Sequence, residues 1–287
     1  MFLRKWASKS RIKGLVCYFF YSIHKHTVTS AIQSATCLPH PQPATMPWTP
    51  SLVQAFTPAG HLRAAINLGN PILANREPAS GAPFGVSIDL AREFARQLGA
   101  EIELVVFDGA AKSVDAVTQG QADIGFFAID PLRGAGIHFT AAYVLIEGSY
   151  LVRQDSMLQS NTQVDAAGHR IAVGQGSAYD LFLTRELKAA EVIRGEGAEG
   201  AVAAFESQNL DALAGIRLQL EAQAATKPGL RMLPGRFMVI QQAMGCPKSM
   251  GEAAGTYLGQ FVQTMKTSGF VARAMTRHHI HGASVAP

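Results

Sequence analysis

The sequence predicts an α/β protein of two lobes joined by two long extended crossings. Three observations carry that expectation. From Leu62 onward, short apolar runs alternate with amphipathic ones, as strands and helices taken in turn would. The alternation stops at YVLIEGSYLVR (143–153), an extended run with no helix after it for about two dozen residues, and restarts at RIAVG (170–174). A second long apolar run, FMVIQQAMG (237–245), then precedes a helical end. One continuous doubly wound sheet is the alternative that the same alternation permits.

The elements follow in order. LRAAINL (62–68) reads as a strand, and residues 69–85 as a loop rich in Gly, Pro and Asn. Ser87 is placed to cap a helix carrying Leu90, Phe94 and Leu98 on one face, with Ala91 and Ala95 beside them and Gly99 ending it. IELVVF (102–107) is a second strand, KSVDAVTQ (112–119) a short helix closed by Gly120, and DIGFFAI (123–129) a third strand. After the first crossing, broken in its middle by Glu-Gly-Ser, come RIAVG and a helix from Ser177. A strand near EVIR (191–194), a helix over GAVAAFESQ (200–208) and the strand LDALAGI (210–216) follow. LRMLP (230–234) leads into the second crossing, and helices at 250–267 and 270–278 end the chain. On this reading residues 1–59 are leader and linker. Residues 60–146 with 243–287 form one lobe, and 147–242 the other. Clefts of this kind bind small molecules at the carboxyl ends of strands.

Composition excludes some functions. The 287 residues are 48% hydrophobic and 16% charged, which is globular rather than disordered. The net charge of +4 invites a nucleic-acid reading, but its distribution opposes one. Six of the 25 Lys and Arg residues lie in 1–59, which has no acid, so the remainder holds 19 bases against 21 acids. Cys17 and Cys37 also lie there, and Cys246 stands alone in the body, where no internal disulfide can form. The N-terminal region itself has three readings. A basic stretch before LVCYFFYSI (15–23) fits a signal peptide, a Ser/Thr-rich and acid-free composition fits an organellar presequence, and translation from Met46 would remove both. The protein is accordingly periplasmic or secreted if the leader works, and cytosolic if it starts at Met46. LPHPQPATMPWTP (38–50) reads as linker.

Six segments together resemble one family. GVSIDLAREFARQLG (85–99), QADIGFFAIDPLR (121–133), IHFTAAY (137–143), IAVGQGSAYDLFL (171–183) with NLDALAGI (209–216), and MKTSGFVARAM (265–275) stand in order over about residues 60–280. They resemble the extracellular solute-binding proteins of family 3, the polar amino-acid type that serves ABC importers. The resemblance implies a two-lobed, periplasmic-binding-protein-like fold of type II. It also implies that Arg133 grips a ligand carboxylate, with Asp130 where the family has Thr. A guanidinium fork matches a carboxylate in geometry, although an ordinary surface arginine would look the same in sequence. Gly176, Ser177 and Ala178 open a helix with a Ser-x-x-Asp capping box, Asp180 being the acid, and the resemblance places Ser177 and Ala178 against the same carboxylate.

Departures from the family bear on the ligand. Where amino-acid binders carry an Asp for the ammonium group, five residues past Asp211, this chain has Ile216. Ala110 and the pair Asn70-Pro71 stand where ligand-sandwiching aromatics are expected. A small carboxylate or other polar solute therefore fits better than an α-amino acid, with Asn67, Asn70, Asp130 and Glu147 as candidate polar partners. The leading function is non-enzymatic binding of that solute by a monomer that meets an ABC permease, without a cofactor. The alternatives are a cyclohexadienyl-dehydratase-like enzyme, for which Glu147 is the only nameable general acid, and a solute sensor without a permease. No nucleophile–base pair is visible, and the histidines of RHHIH (277–281) lack a fourth ligand nearby and read as solvated.

Overall fold

The computed structural model describes residues 49–287. The basic stretch, the apolar run 15–23 and nearly all of the Pro-rich linker lie outside those residues. The described chain opens with helix α1 (Pro50–Phe56), capped by Thr49, whose hydroxyl accepts from the Leu52 N–H. It falls within the segment expected to be linker, yet Phe56 is fully buried and sits edge-on to Phe94 at 5.0 Å. An aromatic side chain has to be covered somewhere, and the body covers this one.

The rest contains one plan executed twice. The first execution runs β1 (Leu62–Asn67), a small hairpin β2 (Asn75–Arg76) and β3 (Pro83–Phe84), α2 (Val86–Leu98), β4 (Ile102–Phe107), α3 (Ala110–Thr118) and β5 (Ile124–Ala128). The long strand β6 (Ile137–Arg153) follows. The second execution runs β7 (Arg170–Gly174), α4 (Ala178–Glu186), β8 (Glu191–Gly195), α5 (Gly197–Ser207) and β9 (Ala212–Ile216). After these come α6 (Arg217–Thr226), β10 (Leu230–Met232), β11 (Met238–Pro247), α7 (Glu252–Thr267), α8 (Phe270–Arg277) and β12 (Ala283–Val285).

In each execution the first strand is central and parallel to both neighbours: β4-β1-β5 and β8-β7-β9. An antiparallel strand completes each set, β11 against β5 and β6 against β9. The same device fastens both sets. Asp123, just ahead of β5, accepts from the Arg63 backbone N–H at 2.8 Å, and Asp211, just ahead of β9, accepts from the Arg170 N–H at 2.7 Å. Asp123 is 1% exposed, and Arg63 supplies a second contact, from guanidinium to carboxylate, at 2.7 Å. Such fixed, charge-assisted bonds hold the start of one strand level with the start of its neighbour.

β6 and β11 are the crossings, and they explain why one hydrogen-bonded path runs from β4 to β8. Residues 137–148 of β6 pair with β11, while residues 148–151 pair with β9. The Glu-Gly-Ser sequence does not break the strand. Gly148 is where the partners change, and a Cβ there would lie 2.7 Å from the Met238 side chain, which would have to shift to admit it. β6 also begins earlier than its apolar pattern indicates, at Ile137 rather than Tyr143. Three further elements were not expected. α6 follows β9 without a side-chain cap and buries only Leu220, too little to mark a helical period. β10 and β12 are three-residue additions to the rim of β6, a length below any periodic signal.

Candidate functional site

The carboxyl ends of β1, β5, β7 and β9 converge on a cavity of about 70 Å³. Its polar lining is Asn67, Asn70, Ser87, Arg133, Ser177, Tyr179 and Gln242. Leu73, Phe126, Phe127, Ile216 and Ile240 form most of the apolar wall. Among the described residues no Asp, Glu, His, Lys or Cys side chain lines it. A groove of about 1130 Å³ adjoins it, sharing Asn67, Gly69, Ala110, Ser177 and Tyr179 as the common wall.

Arg133 sits there because the chain turns back sharply after β5. Asp130 makes the turn. Its Oδ1 accepts from the Leu132 N–H at 2.9 Å and its carbonyl from the Gly134 N–H at 2.9 Å, and Arg133 opens a short 3-10 turn through Ala135. The side chain is only 6% exposed. Nη1 donates to the Ala128 carbonyl at 3.2 Å and Nη2 to the Gly176 carbonyl, in the other strand set, at 2.8 Å. Among the described residues no carboxylate lies within salt-bridge distance of it. Burial holds its pKa below the ordinary guanidinium value, and the charge of Asp130 only partly offsets that. A buried cation with donors to spare, and with no carboxylate in contact among the described residues, is suited to an anion.

The opposite wall comes from the turn 174–177 and the start of α4. Gly176 adopts φ +68°, a conformation glycine takes without strain, and a Cβ there would meet the Ala111 Cβ at 3.2 Å. Ser177 caps α4 by accepting from the Asp180 N–H at 3.1 Å. The carboxylate of Asp180 reaches back one residue further than in a standard capping box, to the Gly176 N–H at 2.8 Å. Arg194 in turn holds Asp180 at 3.0 Å. The turn that presents the Gly176 carbonyl to Arg133 is therefore itself fastened by an ion pair between a buried carboxylate and a part-exposed guanidinium.

Of the residues singled out in the sequence, Asn67, Asn70, Arg133, Ser177 and Ala178 line this cavity, and Gly176 borders it through its carbonyl. Two do not reach it. Asp130 is 4% exposed and turned aside, its Oδ2 taking Arg185 of α4 at 2.6 Å. Glu147 is held between Arg236 at 2.6 Å and Arg217 at 3.3 Å, on the crossing strand. In both cases a nearby arginine satisfies the carboxylate and draws it out of the cleft.

Several lining residues had no signal in the sequence. Ser87 is not the helix cap, since Gly85 occupies that position. Its hydroxyl instead lies 3.2 Å from the hydroxyl of the buried Tyr143, beside the cavity. Gln242 looked like part of an apolar crossing, but it is 7% exposed, lines the cavity and makes no side-chain hydrogen bond among the described residues. The C-terminal histidines lie elsewhere. His278 and Arg277 both meet Asp89 Oδ2 at 2.7 Å, and no cluster fit for a metal occurs among the described residues.

Two crossing strands between two like α/β lobes, with an arginine buried in the cleft, define the two-lobed type II fold of solute-binding proteins. Solved structures agree. At 20% identity and a TM-score of 0.67, the solute receptor for L-cysteine of Neisseria gonorrhoeae matches over 80% of this chain and 95% of its own. A variant of ArgBP from T. maritima matches at 19% identity and TM-score 0.66, over 80% of this chain and 100% of its own. The ancestral amino-acid-binding protein AncCDT-1, a precursor of cyclohexadienyl dehydratase, matches at 20% and 0.63, over 78% and 98%. No curated protein matches in sequence. The family model of the bacterial extracellular solute-binding proteins, family 3, matches residues 62–279, and the chain belongs to that family.

Proposed function

We propose that the protein binds a small carboxylate-bearing solute between its lobes, as the substrate-binding component of an ABC-type importer. One observation carries the reading: Arg133 is buried in the cavity without a carboxylate partner among the described residues. The solute's carboxylate completes that pair, backed by Ser177 and Ala178 at the start of α4, with Asn67, Asn70 and Gln242 around the remainder. The lobes are residues 60–146 with 243–287, and 147–242, and they close about β6 and β11. The neighbours named for L-cysteine and arginine support small-solute binding on this fold. The partner is a membrane permease that meets the closed monomer, and the working compartment is extracytoplasmic, as the family description has it. Among the described residues no helix is long and apolar enough to cross a membrane.

The relation to AncCDT-1 favours a dehydratase as the second reading. Against it, Glu147 is committed to two arginines and does not line the cavity. A thermal-shift screen of carboxylates, amino acids, polyamines and sugars tests both readings. A ligand at 100 times its Kd raises stability by about 2.7 kcal/mol. Arg133→Ala is expected to abolish the shift from a carboxylate, and an unchanged shift rejects the clamp. Turnover of a bound ligand, lost in Glu147→Gln, would favour the enzyme.

A further inference from the structure

We infer that the ligand carries, close to its carboxylate, an uncharged hydrogen-bond donor such as a hydroxyl, so that the cavity takes 2-hydroxy carboxylates in preference to 2-amino ones. This rests on the carboxylate reading above and sharpens the class of ligand. The observation behind it is Asn70. Its Oδ1 is buried and has no hydrogen-bond partner, and the rest of its side-chain amide makes no hydrogen bond among the described residues. Ser113 and Asn161 hold the other two such atoms among the described residues, and neither residue lines the cavity. Buried acceptors are nearly always paired in native proteins, and Asn70 shares its cavity with Arg133. A ligand that reaches both must supply an acceptor pair to the guanidinium and a donor to the amide.

The charge of that donor follows from the remaining wall. An ammonium group buried beside a guanidinium needs an acid to balance it, and no acidic side chain lines the cavity among the described residues. Ile216 and Ile240 offer it nothing. A hydroxyl asks for less. It donates to Asn70 Oδ1 and can accept from the hydroxyl of Ser87 or the amide of Gln242. Both line the same cavity, and Gln242 has no other side-chain partner among the described residues. The cavity is small, about 70 Å³, so the hydroxyl has to sit within a few bonds of the carboxylate.

Titration calorimetry on the full chain with four sets of matched acids tests this. Lactate and 2-hydroxybutyrate present a hydroxyl, alanine and 2-aminobutyrate an ammonium, pyruvate a bare acceptor, and propionate and butyrate none of these. The hydroxy acids are expected to bind at least tenfold tighter than the other three sets, with the amino acids weakest. Asn70→Ala, checked for unchanged circular dichroism, should bring lactate to the level of propionate. Equal affinities for lactate, pyruvate and propionate, or tightest binding of an amino acid, would overturn the inference. If Arg133→Ala still abolishes binding in that case, the carboxylate reading stands without it. Failure of every acid to bind overturns both.

Discussion

On the carboxylate reading, Ile216 is the side chain that would set the chemistry of the cleft. It is 6% exposed and closes the end of β9, where amino-acid-binding members are expected to carry an acid. An aspartate there would be desolvated and would seek Arg133 as its partner, in competition with the ligand. Ile216→Asp is therefore expected to weaken carboxylate binding more than tenfold at neutral pH, and Ile216→Asn, which adds no charge, substantially less. Calorimetry on the two variants with one bound acid decides it, and equal losses would mean that shape rather than charge matters. Asp130 resolves differently. Whether it orients Arg133 or meets the ligand could not be read from the sequence, because the answer depends on Arg185, 55 residues away. Periodicity carries no information about a contact of that kind.

At the scale of elements, Asp165 is the instructive case. It precedes β7 and accepts from the N–H groups of Lys188, Ala189 and Ala190 at 2.8–3.1 Å, fixing the turn between α4 and β8. Those bonds to the charged form, the Ala190 bond first, lower its pKa below the ordinary carboxylate value. A folded-state pKa below the unfolded one means that the contribution is complete above the unfolded value, about 3.9, and is lost as pH falls through the folded value. Asp165→Asn should lower the melting midpoint at pH 7, and the gap from the native chain should narrow as pH falls from neutrality through the lowered folded value. A gap that persists in acid would place the loss elsewhere. The alternating elements on either side were legible in the sequence because burial on one face leaves a period. This staple was not, nor was α6, whose single buried leucine leaves none.

At the scale of the whole molecule, the lobes meet through two arginines working in opposite directions. Arg133 reaches from the first lobe to the Gly176 carbonyl, and Arg185 reaches from α4 to Asp130. The second contact joins a buried carboxylate to a guanidinium whose side chain is 42% exposed, so solvent screening tempers it. Arg185→Ala is expected to weaken ligand affinity about three- to tenfold, almost entirely through a faster off-rate, since closure follows encounter. Stopped-flow release measures it, and an effect confined to the on-rate would remove Arg185 from closure. The two-lobed α/β fold class was recoverable from the chain, because two alternating sets and two long apolar runs admit few topologies. The cleft was recoverable only at its arginine and the residues near Ser177 and Asn70. Ser87 and Gln242 come to it from a helix and a crossing strand whose patterns announced only structure.

The isolation of Arg133 has a consequence for what closure can report. Shutting the lobes over a neutral or cationic solute would leave a full positive charge in a medium that solvates it poorly, at a cost of several kcal/mol. Shutting them over an anion leaves the cleft electroneutral. If the cleft takes an anion as proposed, it weighs charge before shape, and a solute of the right size with no negative charge should occupy the open cleft without drawing it shut.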